Sequence, residues 1–338
     1  MSARLRVGIL SAAHVPAPAY LAILGADPTV TLAGVWDADP ALAAERAAPA
    51  GTTAPPPIAA LLAASDAVVI AGTNREHRAL AEAAAAAGVH VLCEKPLALT
   101  VADAEAIVAA CASAGVTLMT AFPSPWNMVV AAFTASVREG RVGELVALEG
   151  TNTGEMPDVH GAWFTDPELA GGGALVDHVV HLADLYRRIV GAEVAEVYAV
   201  TNRILQEGFD RVETGGLVQL RFANGVFATI DCSWSRPRSW PTWGGLTIEA
   251  LGTAGALAMD AFRQRSAVWG RAADGASWRW FGSDANAAML ADFLDAIRAG
   301  RAPTVTGADG VRATEIVAAA YRSAATGAPV RIGEGDAG

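Results

Sequence analysis

Along the first 120 residues, short and nearly unbroken apolar runs alternate with longer stretches whose apolar positions recur at helical spacing. The runs LRVGIL (5–10), VTLAGVW (30–36), AVVIAG (67–72), VHVLC (89–93) and VTLMTAF (116–122) predict strands buried on both faces, the pattern of a parallel sheet. Between them PAPAYLAIL, PALAAERAA, REHRALAEAAAAAG and VADAEAIVAACASAG predict helices. The last two stop at Gly88 and Gly115, as helices that close on a left-handed residue do, and Thr100 stands where an N-cap hydroxyl belongs. Strand and helix in alternation, in units of this length, imply an α/β fold with a doubly wound parallel sheet.

The pattern changes after Phe122. A helix near 126–138 leads to a strand ELVALEGTNTG, then a glycine-rich turn and a helix over 171–190. Long alternating runs follow: EVAEVYAVTNRIL, GLVQLRFANG, VFATIDCSWS and LTIEALGTAGALAMD, with Ala223-Asn224-Gly225 as a hairpin turn between two of them. Consecutive strands with tight turns predict a second, mostly antiparallel sheet, and NAAMLADFLDAIRAG and GVRATEIVAAAYRSAATG close the chain as helices. The expected division is 1–122 and 123–338, with the proline-rich TTAPPPIAA (52–60) a loop inside the first domain.

Length and composition agree with two packed domains. The chain has 338 residues, of which 53% are hydrophobic and 17% charged, a globular balance. A formal net charge of −11 excludes the basic face that nucleic acid requires and gives no attraction to anionic membrane surfaces. No apolar run is long enough to span a bilayer. Cys93, Cys111 and Cys232 are odd in number and widely spaced, forming neither a metal pattern nor a disulfide framework, so a reducing, cytoplasmic setting is expected.

Two segments carry candidate chemistry. In LCEKPLALT, Lys95 stands between Glu94 and Pro96 at the end of a predicted buried strand, where ligands of open α/β sheets bind. An ammonium there donates to a hydroxyl or joins a proton relay; a strand-end lysine paired with a neighbouring acid is the plainer alternative. In GGGALVDHVVHLADL, three glycines precede a helix on which Asp177, His181 and Asp184 share one face, within roughly 60° of arc. An acid and an imidazole so placed suit general acid–base work. His178 points elsewhere, and His178 with His181 lacks a third ligand, so no metal is expected. Aromatic residues gather in HGAWFTD, around Trp163, and in SWSRPRSWPTWGG, which brings Trp234, Trp240 and Trp243 near Arg236 and Arg238. Such residues line sugar sites and also oligomer interfaces.

EKP after a strand, followed some 80 residues later by GGG-x-x-x-D-x-x-x-H-x-x-D, resembles the Gfo/Idh/MocA oxidoreductases. GVWDADP (34–40), NREH (74–77), VREGRVGELVALEG (137–150) and the stretch from Phe293 to Ile332 resemble the same family in the same order. The resemblance implies a Rossmann domain followed by an α/β domain with a large open-faced sheet, commonly the oligomer interface, and hence a homodimer or homotetramer. It implies hydride transfer between nicotinamide and a carbinol or keto carbon of a sugar, glycoside or cyclitol. By position, Lys95 contacts the reacting oxygen, His181 is the general acid–base, and Asp177 holds the substrate and aids the relay. Asn74, His77, Glu94, Lys95 and a cis Pro96 fall at the cofactor, and Trp126, Trp163, His178 and Asp184 on the substrate side. Asp37 ends the second strand, where an acid accepts from the adenosine ribose and repels a 2′-phosphate, so NAD is expected over NADP; a turn aspartate is the alternative.

The chain departs from the family at VGILSAAHVPA (7–17), where the three expected glycines are Ser11, Ala13 and Pro16. Small residues still admit a pyrophosphate, Pro16 suits a helix start, and Ser11 and His14 add side-chain donors. Trp126 stands near a position where relatives often carry arginine, and Val179 replaces a glycine between Asp177 and His181. Three functions stay open: an NAD-dependent dehydrogenase or reductase, an NAD-assisted lyase or glycosidase that oxidises the ring transiently, and a silent binding protein on the same fold.

Overall fold

The computed structural model describes residues 4–55, 57–269 and 276–333. Its contacts divide the chain into two compact units: one of 1–122, 160–171 and 286–314, the other of 123–159, 172–285 and 315–338. The chain thus leaves the first unit at Phe122 and returns to it twice, where the sequence predicts a single crossing.

The first unit is built on a five-stranded parallel sheet: β1 (Leu5–Leu10), β2 (Val30–Trp36), β3 (Ala67–Ile70), β4 (His90–Cys93) and β5 (Leu118–Thr120). Its strand order is β2-β1-β3-β4-β5. The helices between its strands are α1 (Ala17–Ala26), α2 (Pro40–Ala47), α3 (Ile58–Ala64), α4 (His77–Ala86) and α5 (Val101–Ala114). The apolar runs are strands because both their faces are covered: Val7, Ile9, Leu10, Val68, Ile70, Val91 and Leu92 are all fully buried. Gly88 and Gly115 close α4 and α5 with φ of 72° and 67°, and the Thr100 hydroxyl caps α5 by accepting from the Asp103 amide at 3.1 Å. Part of the stretch read as a proline-rich loop is α3, a short helix of alanine and leucine; Pro56 within that stretch lies outside the described residues.

Strand order reverses between β1 and β3, which lie on either side of where the chain turns back across the sheet. Ligands of open parallel sheets bind at the carboxyl ends of the strands, at such a reversal. Ser11, Asp37, Ala71 and Glu94 each directly follow the last residue of β1, β2, β3 and β4. One sheet edge therefore gathers residues that lie far apart in sequence.

The second unit begins with α6 (Met128–Arg138) and β6 (Leu145–Gly154). A four-residue helix of the first unit, α7 (Pro167–Ala170), precedes α8 (Ala174–Val190), and the strands β7 (Val194–Asn202), β8 (Gly215–Phe222), β9 (Phe227–Ser233), β10 (Gly244–Gly252) and β11 (Gly255–Asp260) follow. A small hairpin, β12 (Arg265–Trp269) with β13 (Ala276–Trp280), stands apart. The helix α9 (Ala285–Ala299), which from residue 286 belongs to the first unit, and α10 (Gly307–Thr326), which passes from the first unit into the second after residue 314, precede the short β14 (Val330–Arg331). The larger sheet has the order β11-β10-β6-β9-β8-β7-β14. It is antiparallel except for the central β6–β9 pair, so it is mixed. The run LTIEALGTAGALAMD is two strands rather than one, folding back at Thr253-Ala254. Helix α8 packs on β6, β8 and β9 and buries Leu148, Val218, Ala228 and Ile230, while Val200, Leu217, Phe227 and Leu251 remain exposed.

Helix α5 follows directly on the segment that carries Lys95, and its start depends on Thr100, whose hydroxyl also donates to Asp103 Oδ2 at 2.8 Å. Thr100→Ala is expected to cost about 1 kcal/mol of unfolding free energy in a urea titration. An unchanged midpoint would show that the cap contributes nothing.

Candidate active site

In the first unit the loop after β1 is tied down on both sides. The Ser11 amide donates to the Trp36 carbonyl at 2.6 Å, and the His14 amide to the Ala71 carbonyl at 2.8 Å. Ser11 is the one non-glycine residue with positive φ among the described residues, at 58°. A side chain in that region costs about 1–2 kcal/mol relative to glycine. Asp37, nine-tenths buried, answers with its carboxylate: Oδ2 accepts from Ser11 Oγ at 2.9 Å and from the Ala12 amide at 2.8 Å, and Oδ1 accepts from the Asp39 amide at 2.8 Å. The Ser11 side chain has room because the facing residue is Gly72, where a Cβ would lie 2.9 Å from Ser11 Cβ. Trp163 and Phe164 back the loop, their rings 5.4 and 5.2 Å from that of His14, and Trp163 Nε1 donates to the Ala13 carbonyl at 3.3 Å. Trp163 is buried in this cluster as a support for the loop, a place that the expectation of a substrate contact did not foresee.

The segment around Lys95 is held as firmly. The Lys95–Pro96 bond is cis. Glu94 is fully enclosed; its Oε2 accepts the Lys95 amide at 3.0 Å and its Oε1 accepts the Tyr20 hydroxyl of α1 at 2.5 Å. Burial pushes the Glu94 carboxyl above its ordinary range and the Tyr20 phenol well above its own. His77, also fully buried, donates from Nδ1 to the Pro96 carbonyl at 2.9 Å. Burial lowers its pKa to about 4, so the ring is neutral. Asn74 donates to the Ala170 carbonyl at 2.8 Å, and its buried carboxamide oxygen has no partner among the described residues.

This edge fits a dinucleotide. Helix α1 starts after Pro16 without a side-chain cap; its Ala17 amide donates to the His14 carbonyl at 3.1 Å and Pro18 has no N–H, so Ala19 is the first-turn amide open to an anion. Asp37 Oδ1 keeps a lone pair for a ribose hydroxyl, and the Asn74 oxygen is a buried acceptor in need of a donor. Ser11, Ala13, His14, Asp37, Asn74, His77, Glu94, Lys95 and Pro96 all belong to this unit.

In the second unit α8 presents Asp177 and, one turn later, His181, both half-buried. Trp234, fully buried, donates from Nε1 to Asp177 Oδ2 at 3.1 Å, which fixes the carboxylate. Trp234 therefore differs from Trp240 and Trp243, which are exposed; the Arg236 guanidinium lies 4.5 Å over the Trp240 ring. His178 is buried against Gly154, where a Cβ would come within 3.0 Å of its ring, and its Nε2 is 3.6 Å from Asp177 Oδ2. Asp184 is fully buried and taken by Arg188, whose Nε is 2.9 Å from both its oxygens. Neither His178 nor Asp184 is thereby placed as an open substrate contact, although both share a helix with the acid–base pair. Trp126 ends a short 3-10 turn, half-buried.

The amino end of α8 has partners that local sequence does not reveal. Glu213 Oε1 accepts from the Gly173 amide at 2.9 Å, the Leu175 amide at 3.0 Å and the Tyr321 hydroxyl at 2.8 Å. A Cβ at Gly172 would collide with the Tyr321 hydroxyl, and one at Gly173 with the Glu213 carbonyl oxygen. The glycine run is thus the condition for this clamp. Glu213, Tyr321, Tyr20 and Trp234 reach their partners across 38 to 108 positions, and no spacing in the sequence marks them. No group of three metal-ligating side chains occurs among the described residues.

The parallel sheet and the chemistry on its carboxyl edge define a dinucleotide-binding α/β enzyme. Residues 5–122 match the oxidoreductase family with an NAD-binding Rossmann fold, and residues 130–258 match the Gfo/Idh/MocA C-terminal domain. The chain belongs to the Gfo/Idh/MocA oxidoreductases, enzymes that act on hydroxyl and keto groups, and its first unit carries their NAD-binding domain. It is 32% identical to the 1,5-anhydro-D-fructose reductase of Ensifer adhaerens over 79% of each chain. Among solved structures it is similar to GenD2 from gentamicin A biosynthesis in complex with NAD, with a TM-score of 0.88 and 28% identity over 98% of this chain and 97% of that one. It is also similar to levoglucosan dehydrogenase in complex with NADH and levoglucosan, with a TM-score of 0.83 and 25% identity over 98% and 100% of the two chains.

The neutral, buried His77 has a consequence for stability. In the unfolded chain a histidine titrates near 6.5, against about 4 here, so as pH falls through that window the unfolded state takes up a proton that the native state refuses. Stability from His77 is present above the window and lost as pH falls through it. Urea titrations at pH 7, 6 and 5 should show a steeper loss for the wild type than for His77→Gln, by up to about 1.4 kcal/mol per pH unit. Parallel losses would contradict a neutral native His77.

Proposed function

We propose that the chain catalyses NAD-dependent hydride transfer between nicotinamide and the carbinol carbon of a ring sugar, glycoside or cyclitol, with Lys95, Asp177 and His181 as its working residues. The observation that carries the reading is the construction around Lys95: a nearly buried lysine at the carboxyl end of β4, its amide held by Glu94 and the next carbonyl by His77. With the backbone on both sides of Lys95 held, its ammonium is anchored at the carboxyl end of β4, where it can donate to one substrate oxygen. When bound, the nicotinamide accepts or supplies the hydride. Lys95 donates to the reacting oxygen. His181 takes the hydroxyl proton in oxidation and returns it in reduction, and Asp177, held by Trp234, orients the substrate and steadies the imidazolium.

Substrate and cofactor preference follow the same logic. The names of the relatives point to ring sugars, 1,5-anhydro-D-fructose and levoglucosan among them. Asp37 at the end of β2 favours the free ribose of NAD over the 2′-phosphate of NADP. The exposed Val200, Leu217, Phe227 and Leu251 support a second copy of the chain over the open face of the larger sheet. Three unpaired, buried cysteines support a reducing, cytoplasmic setting, and the net charge of −11 supports a small-molecule substrate rather than nucleic acid.

NADH formation across a panel of pyranosides, anhydrosugars and inositols should find at least one substrate. On that substrate Lys95→Ala and His181→Ala should each lower kcat by about 10²- to 10⁴-fold, with melting curves showing that both fold. Near-normal turnover in both would overturn the assignment.

A further inference from the structure

We propose that Asp37 has a second task besides reading the ribose, on which reading this inference rests: it is the strut that lets a serine stand where the dinucleotide loop needs a left-handed residue. Three observations converge on Ser11. Its φ is 58°, a conformation in which glycine is at ease and other residues are not. Its hydroxyl and the next amide both donate to one oxygen of Asp37, at 2.9 and 2.8 Å, inside a site where Ser11 is fully buried and Asp37 nearly so. Its side chain occupies space that exists because Gly72 has no Cβ. Ser11, Asp37 and Gly72 come from the ends of three adjacent strands and replace, with a hydrogen bond and a vacancy, the freedom a glycine would have at position 11.

The consequence concerns nucleotide specificity. Where the loop holds its own shape, removing the acid at the end of β2 relieves repulsion of a 2′-phosphate and moves preference toward NADP. In this chain the same change also releases Ser11 from the conformation that sets the path of the loop leading to α1. Asp37→Ala should therefore weaken both nucleotides rather than exchange one for the other. A glycine at position 11 makes the strut unnecessary, so the two positions are coupled.

The test is a double-mutant cycle in nucleotide-stripped protein, read by calorimetric Kd for NAD⁺ and NADP⁺ and by melting without nucleotide. Asp37→Ala should weaken NAD⁺ about 100-fold and gain no NADP⁺ affinity; in the Ser11→Gly background it should weaken NAD⁺ only about 10-fold and strengthen NADP⁺. Additive effects, with Asp37→Ala alone turning the protein to NADP⁺, would show that Asp37 reads the ribose and nothing more. Melting of the free proteins gives a second readout. Ser11→Ala keeps the Cβ and loses the hydrogen bond, so it should melt below Ser11→Gly; equal or higher melting overturns the strut. If the wild type binds neither nucleotide, the cofactor reading fails, and the melting order still decides the inference.

Discussion

One carboxylate organises the nucleotide edge of this protein. Asp37 accepts from the Ser11 hydroxyl, the Ala12 amide and the Asp39 amide, and so joins the loop after β1 to the end of β2. Two further ties to that loop, from the Trp36 and Ala71 carbonyls, are backbone bonds that need its path already set. A glycine-rich loop takes its path by conformational freedom. This one takes it by a charged acceptor in a nearly dry place, where a hydrogen bond to an ionised group is stronger than one between neutral partners. Trp163 and Phe164 then close over Ala13 and His14 and shield the arrangement from water.

The same principle recurs wherever a site residue must be held. Lys95 is set by Glu94 and His77, and Glu94 in turn by Tyr20. Asp177 is set by Trp234, and the helix that carries it is clamped at its first turn by Glu213 and Tyr321. The holding groups are buried, Tyr321 half so, and each comes from a different element of the unit in which it acts. Burial raises the energy of any alternative, because an unpaired polar group in these places would have no water to turn to. The glycines of the 171–173 run serve the clamp through absence: at Gly172 and Gly173 a methyl group would occupy the space of the partners.

The alternation of strand and helix, the closing glycines Gly88 and Gly115 and the Thr100 cap were legible in the chain because each depends on neighbours within a turn or a strand. What was not legible depends on distance. Residues 160–171 and 286–314 pack with the first unit although they follow the second unit's opening strand in sequence. The hairpin at Thr253-Ala254 lies hidden in an apolar run, and α3 in a stretch of small residues after prolines. In the site, the motif residues were legible from EKP and from the glycine run, whereas the groups that hold them were not. Trp163 read as a substrate contact and Trp234 as aromatic surface for an oligomer interface or a sugar, and in the fold both are buried braces. Asp184 shares a helix face with Asp177 and His181, but Arg188 one turn on claims it.

The central claim is that a loop with serine, alanine and proline in place of glycine still holds a dinucleotide, and holds NAD. Calorimetric titration of the nucleotide-stripped wild type with NAD⁺, NADH, NADP⁺ and NADPH addresses it directly. The account predicts micromolar binding with NAD⁺ and NADH preferred over their phosphorylated counterparts. Failure to bind any of the four would contradict it, and would mean that the loop's shape has been kept without its ligand.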